Sequence, residues 1–245
     1  MTHSSPSRGV DASSLPFRVA VRDGEMLEAD AVVLAVPHEV AAKLIPSGAF
    51  PQREVDAWSG LGAAPIVNVH VIYDRRVMDL PFAAAVDSPV QWVFDRTAIA
   101  GLTTPGQYLA ISLSAADEYV DVPVEQLRER FLPALEEVLP AAREAKVTEF
   151  FVTRERRATF RQAPGSGRLR PRAATGLPGL VLAGSWTATG WPDTMEGAVR
   201  SGLNAVIALK QAGVNGTNTE VSGFVVNDGG SVDGQFNGSV KGVRS

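Results

Sequence analysis

The sequence predicts an α/β fold in which a parallel-sheet layer is interrupted by a separate antiparallel layer. Three observations predict it. Ala31-Val-Val-Leu-Ala-Val36 and Leu180-Val-Leu-Ala183 are continuous apolar runs, the pattern of strands buried on both faces of a parallel sheet. Pro65-Ile-Val-Asn-Val-His-Val-Ile-Tyr73 instead alternates with period two, so that one face is covered and the other is not. The stretch from Leu182 to Leu203 passes from a strand end through a Gly-rich crossing into a helix.

Taken in order, residues 1–16 are Ser/Pro-rich and expected to be loose. Phe17 to Ala29 reads as a β-hairpin turning at Asp23-Gly24. The apolar strand at 31–36 is closed by Pro37. Helices are expected from His38 to Leu44 and from Gln52 to Leu61. In the middle, Pro89 to Phe94 and Tyr108 to Leu113 are further strands. Val124, Leu127, Phe131, Leu135 and Val138 recur at helical spacing between Pro123 and Leu139, and Pro133 should bend that helix. Lys146 to Thr153 returns as a strand. The last helix is read from Asp193 to Gln211, with Asp193 capping and Glu196 three residues on. Its packed face is read as Met195, Ala198, Val199, Gly202, Val206 and Leu209. From Gly213 the composition is that of a flexible tail.

At 245 residues and 45% hydrophobic content, the chain can bury one large core or two modest ones. A net charge of −4 gives no reason to expect a nucleic-acid partner. The absence of cysteine excludes disulfides, thiolate metal sites and cysteine nucleophiles. His3, His38 and His70 are too scattered in sequence to suggest a metal site. No apolar run approaches the roughly 18 residues of a membrane span, and the opening residues lack the apolar core of a secretory signal. A soluble cytoplasmic protein is expected. Seven arginines lie between Arg154 and Arg172 with Glu155 the one acid; they read as a solvated or paired face, with anionic lipid as the rival partner. Asp95, Asp117 and Glu118 have no partner visible in the sequence, and His70 faces away from the core-facing valines Val69 and Val71.

A helix N-terminus aimed at a strand end offers unpaired N–H groups and a positive dipole end to an anionic ligand. The amides from Thr194 to Gly197 are the candidates, and Gly197, Ala198, Ser201 and Gly202 are small enough to admit a flat ring or a neighbouring backbone. Close packing of helix on sheet explains the same spacing. Trp186 and Trp191 are read either as core or as cavity lining.

The words Leu182-Ala-Gly-Ser-Trp-Thr-Ala-Thr-Gly-Trp-Pro-Asp-Thr-Met-Glu-Gly-Ala-Val-Arg-Ser-Gly-Leu203 resemble the C-terminal flavin-binding signature of the amine oxidase and phytoene desaturase superfamily. Together with Ala29 to Pro37, Pro65 to Arg75, Ser88 to Arg96, Arg157 to Pro164 and Leu169 to Pro171, they are most similar to its squalene-associated, hydroxysqualene dehydroxylase branch. The resemblance implies a partial FAD-binding, Rossmann-like domain (residues 17–46 and 146–212) interrupted by a mixed α+β substrate domain (residues 47–145). It implies FAD as cofactor, held by Gly184, Ser185, Trp191, Pro192, Thr194, Met195, Glu196 and Gly197. Ser185 stands where relatives commonly carry an Asp or Glu that binds the ribityl chain. The implied reaction is removal of the hydroxyl of hydroxysqualene to give squalene for hopanoid or related isoprenoid synthesis. An apolar isoprenoid is then the substrate, and contact with a membrane surface is in keeping with it. A carotenoid-type desaturase or an amine oxidase is the rival on the same scaffold. No residue stands out as the catalytic acid.

Flavoproteins of this kind open with a strand, a Gly-x-Gly-x-x-Gly turn and a helix holding the diphosphate. Gly165-Ser-Gly167 and Gly60-Leu-Gly62 both fail that pattern. The expectation is that this sequence is the C-terminal part of such an enzyme, or a non-catalytic fragment. A separate chain would supply the N-terminal half, the apolar strand at Val32 to Val36 would lack neighbours, and FAD would bind this chain alone only weakly.

Overall fold

The computed structural model describes residues 17–21, 24, 26–103, 105–214, 220–226 and 232–239, the last two segments as backbone. The chain divides into two compact units, residues 62–161 and the remainder on either side, so the first unit is interrupted by the second. The expected loose N-terminus, residues 1–16, lies outside the described residues.

In the first unit, β1 (Phe17–Ala20) and β2 (Met26–Ala29) form the expected hairpin, with Phe17 opposite Ala29. Strand β3 (Val32–Leu34) runs parallel to β9 (Leu180–Leu182), Val32 opposite Leu180. The expectation that β3 is buried on both faces is corrected: Val33 is 47% exposed. Only β9 pairs with β3 among the described residues, whereas β9 is wholly buried and is flanked on its other side by Ala174. A continuous apolar run therefore overstates the burial of β3 among the described residues.

Helix α1 (His38–Leu44) follows Pro37, and α2 (Gln52–Ala57) passes into a 3-10 turn, Trp58–Leu61. Val55, Trp58 and Leu61 of this stretch are buried. Trp58 packs edge-on to Phe50 at 5.4 Å and to Trp186 at 5.3 Å between ring centroids, and the Trp186 indole N–H donates to the Val36 carbonyl at 2.8 Å.

The last helix, α4 (Met195–Gln211), differs from expectation in two ways. Its N-cap is Thr194, not Asp193. The Thr194 hydroxyl accepts from the Gly197 amide at 3.1 Å, while Glu196 pairs with Arg200 at 2.8 Å one turn on. Its buried stripe is Gly197, Ser201, Ala205 and Ala208, packed on Val181 and Ala183 of the β9 segment. The larger apolar residues Met195, Val199, Leu203, Val206 and Ile207 are exposed. Size decides the face, because only small side chains let a helix axis come down close on a strand.

The second unit is a five-stranded antiparallel sheet in the order β5-β6-β7-β4-β8: β4 (Ala64–Tyr73), β5 (Phe82–Ala84), β6 (Trp92–Asp95), β7 (Gln107–Ser114) and β8 (Val147–Thr159). Strand β8 pairs with β4 from Val147 to Thr159, so the segment from 146 belongs here and not to the first unit; residues 47–61 fall the other way. The outer half of β8 reads Arg154-Glu-Arg-Arg-Ala-Thr159, a charged edge that hides a strand in the sequence and blunts edge pairing in the fold. One sheet face carries Val67, Val69, Val71, Leu109, Ile111 and Leu113, all fully buried, against α3 (Val124–Val138) with Leu127, Phe131 and Leu135. Helix α3 continues through Pro133. Gln107, buried at the start of β7, satisfies its whole amide: its carbonyl accepts from the Val77 and Met78 amides at 2.7 and 2.9 Å. Its NH₂ donates to the Met78 carbonyl and the Asp95 carboxylate, both at 2.7 Å.

The arginine-rich run is largely engaged within the chain. Arg161 forks onto Asp117, Arg156 pairs with Asp121, and Arg154 donates to the Val122 carbonyl. Asp95 accepts from Thr97 and Gln107, so these carboxylates, unpartnered in the sequence, hold local structure. The tail expected to lack structure contains an antiparallel pair, β10 (Glu220–Val226) and β11 (Val232–Ser239); the alternating runs around Asn227-Asp-Gly-Gly230 are its signal in the sequence. The rest of the tail beyond Val214 lies outside the described residues.

Tyr73, 2% exposed, places its hydroxyl in the second unit's core with no partner among the described residues. Burial, reinforced by Glu136, pushes its ionisation up to about 12. The neutral phenol is the form the fold accommodates, so the stability this gives is present below the ordinary tyrosine value and is lost as pH rises through 12. Tyr73→Phe removes an unsatisfied group and is expected to leave stability unchanged or raise it by about 1 kcal/mol in urea denaturation. A loss of stability would show that the hydroxyl has a partner.

Candidate functional site

In the first unit the site begins where β9 ends. Gly184 takes φ 134°, and a Cβ there would run into the Trp186 indole. Its amide donates to the Ser201 hydroxyl at 2.8 Å, and that hydroxyl donates to the Ala198 carbonyl at 2.6 Å, which ties the strand end to the second turn of α4. Arg170 holds the loop between them. Its guanidinium donates to the carbonyls of Ser185 and Thr187 at 2.8 and 2.9 Å and to the Thr189 hydroxyl at 2.9 Å. Partial burial draws Arg170 below its ordinary value, with Asp193 opposing.

The eight residues singled out from the sequence all fall on this one loop and helix start. Gly197 is buried, and a Cβ on it would strike the Pro192 carbonyl oxygen, so the loop comes down on the first turn as closely as a glycine allows. Ser185 lies beside Gly197. Trp191 is half exposed with the Arg200 guanidinium 4.4 Å above its ring, and Met195 is 89% exposed. With Gly197 taken by the Thr194 cap, the Met195 and Glu196 amides are the first-turn donors without an intrahelical acceptor. Of the two readings of Trp186 the core one holds: it is 4% exposed, packed on Trp58 and bonded to Val36. Arg170 and Ser201 are the members whose roles the sequence did not show; both act on backbone atoms across 15–17 residues, a relation no local pattern encodes.

The second unit presents another candidate surface, the sheet face opposite its core. Strand register lines up Phe82, Phe94, Ala110, His70 and Phe151, one residue from each of the five strands. Trp92 stacks beside Phe94 at 6.3 Å, and His70 stacks on Phe151 at 4.5 Å with their planes 13° apart. A cleft of about 340 Å³ lies over Asn68, His70, Phe94, Arg96, Tyr108 and Ser112. An antiparallel sheet with one solvated face ordinarily turns polar side chains outward; this one turns out aromatics.

The family model for flavin containing amine oxidoreductases matches residues 3–209. The chain belongs to that family. Among curated relatives it is 34% identical over 183 residues to a hydroxysqualene dehydroxylase of Sinorhizobium fredii, covering 74% of this chain and 39% of the relative. It is 35% identical over 184 residues to a hydroxysqualene dehydroxylase of Rhodopseudomonas palustris, covering 75% and 39%. A 15-cis-phytoene desaturase of Synechococcus elongatus is 24% identical over 211 residues, covering 81% and 44%. The chain thus spans well under half the length of these relatives. Among solved structures, a putrescine oxidase (TM-score 0.52, 18% identity) and the cyclohexylamine oxidase of Brevibacterium oxydans (TM-score 0.52, 16% identity) share the fold; each alignment covers 76% of this chain and 44% of the other. No described helix is long and apolar enough to cross a membrane, and no cluster of three metal-ligating side chains occurs among the described residues.

Thr194→Ala is expected to cost about 1 kcal/mol through loss of the cap. Gly197→Ala is expected to cost more, about 1–3 kcal/mol, because the added methyl meets fixed backbone. Denaturant titration of both variants checks the order; a reversed order would mean that the loop at Pro192 yields freely.

Proposed function

We propose that this chain forms the flavin-contacting and substrate-contacting part of an FAD-dependent oxidoreductase that removes the hydroxyl of a C30 isoprenoid alcohol such as hydroxysqualene. The observation that carries the cofactor assignment is the first turn of α4, with the Met195 and Glu196 amides outside any intrahelical bond, inside the stretch the family model matches. The residues fit a flavin in their charge: the close contacts at Gly184 and Gly197 fix the helix end against the strand end, and that helix end stabilises negative charge placed there. Ser185 brings a hydroxyl, without the charge-assisted bond a carboxylate would give the ribityl chain. FAD, when bound, supplies the two-electron redox chemistry. The chain's own residues fix the helix end, through Arg170, Ser201 and Thr194, and offer an apolar surface to the substrate.

The isoprenoid assignment rests on the sheet face of the second unit. Its aromatic row suits a hydrocarbon chain. Similarity to two hydroxysqualene dehydroxylases points the same way. Such a substrate partitions into bilayers, so peripheral contact with a membrane is part of the proposal.

The α4 stripe of Val199, Leu203 and Val206, with the β3 edge that has no partner among the described residues, is in this reading the seat of a polypeptide segment carrying the glycine-rich dinucleotide turn. Val199 and Leu203 are each 61% exposed, one turn apart on one helix face. Co-expression with the part of the Rhodopseudomonas palustris relative that this chain does not span tests it. The co-purified pair is expected to keep a visible flavin band after desalting and, with a reductant, to convert hydroxysqualene to squalene. The variant V199E/L203E is expected to lose co-purification while its far-UV circular dichroism is unchanged. A stoichiometric flavin band on the chain alone would overturn the docking proposal. A flavin-loaded pair that forms no squalene would overturn the substrate.

A further inference from the structure

The aromatic face of the second unit contains one buried-edged polar device. His70, on β4, sits between two hydroxyls brought from different strands. Its Nδ1 lies 2.8 Å from the Tyr108 hydroxyl of β7 and its Nε2 lies 2.9 Å from the Thr153 hydroxyl of β8. Both partners are diagonal neighbours in the register, His70 being directly opposite Ala110 and Phe151. The imidazole plane is fixed by stacking on Phe151.

A neutral imidazole has one N–H and one lone pair, so this chain of three groups has two complete orientations. In one, Thr153 donates to Nε2, Nδ1–H donates to the Tyr108 oxygen, and the Tyr108 proton points outward. In the other, Tyr108 donates to Nδ1, Nε2–H donates to Thr153, and the Tyr108 oxygen keeps its lone pairs for an outside donor. Partial burial, helped by the nearby Arg96, holds His70 below the ordinary histidine value and keeps it in the neutral form both orientations need. Of the two ends of the relay, Tyr108 is the one that lines the cleft, with Asn68 and Ser112, and the row through Phe94 and Phe82 leads away from it.

We propose that Tyr108, oriented by His70 and Thr153, is the hydroxyl-recognition point of this face, binding the alcohol group of an isoprenoid whose hydrocarbon chain lies along the Phe94–Phe82 row. The match is one of donor and acceptor count. An alcohol both gives and takes one hydrogen bond, and the relay can supply either partner by turning over, without moving a charge. A hydrocarbon leaves the relay unused, and an ether can only accept. The inference rests on the isoprenoid reading above, and it concerns recognition alone, which this chain can be tested for without flavin.

The test is titration of the full chain, with histidine labelled by nitrogen-15, with farnesol, farnesene, farnesyl methyl ether and farnesyl diphosphate. The chain has three histidines, so His70→Asn assigns the His70 signals. Farnesol is expected to shift both His70 nitrogens and to bind more tightly than farnesene. Tyr108→Phe, which keeps the ring, is expected to weaken farnesol about tenfold and to leave farnesene unchanged. Equal affinity for farnesol and farnesene, an unmoved His70, or equal farnesol binding by Tyr108→Phe would each overturn the proposal. Tighter binding of the diphosphate, lost in Arg96→Gln, would overturn it in favour of an anion site. A flavin-loaded pair that fails on hydroxysqualene while farnesol still reads out at His70 would sink the C30 reading and leave the subsite standing.

Discussion

The first unit depends on how closely α4 can come down on the end of β9. A helix N-terminus acts on a ligand at the strand end only if its first turn reaches that end, and side-chain bulk sets the distance. Gly197, Ser201, Ala205 and Ala208 give the helix a face of almost no bulk. The glycine meets the Pro192 carbonyl, the serine fastens to the Gly184 amide, and the alanines rest on Val181 and Ala183. Thr194 then stops the helix at a defined residue, which fixes where its unpaired donors lie. Substituting any of these with a larger side chain would lift the turn and move its dipole away from the strand end together.

The same constraint explains the opposite face. With the close-packed stripe reserved for small residues, the large apolar side chains of α4 fall on the side that the described chain leaves bare. In the same unit β3 exposes Val33 and, among the described residues, pairs along one edge only. The core between α4 and β9 is small, whereas the second unit closes its own core with Val67, Val69, Val71, Leu109, Ile111 and Phe131 and leaves only a sheet face uncovered.

Much of the fold was legible because it follows local rules. The pairing of β1 with β2, helix α1 after Pro37, the period-two strand β4 and the 3.6-period helix α3 each declare themselves within ten or so residues, and each formed as read. What was misread required knowledge of a neighbour. The face of α4 was assigned by hydrophobicity, when proximity to β9 rewards smallness instead. The cap was placed on Asp193, but Asp193 offers its amide to Gln162 and the next residue, Thr194, turns its hydroxyl inward. Strand β8 was cut short because its outer half is charged, a feature that belongs to edge strands and is invisible until the sheet order is known. Trp186 was left between core and cavity; its hydrogen bond to Val36 spans 150 residues.

The His70 relay marks the limit of that legibility most clearly. In the sequence His70 is a polar residue at an outward position of a strand, and nothing distinguishes it from a solvated one. Its partners stand 38 and 83 residues away, and neither is unusual in its own strand. Only the sheet order β7-β4-β8 places a tyrosine and a threonine on its two diagonals. The aromatic residues around it have the same origin: Phe82, Phe94 and Phe151 come from three strands and form a row only through register. An outward face that gathered aromatics by accident would carry its polar residues singly hydrated. Here the imidazole is stacked, bonded at both nitrogens and shifted toward its neutral form by its surroundings, so its hydrogen-bonding capacity passes to the two hydroxyls at its ends, Tyr108 in the cleft and Thr153 on the edge strand.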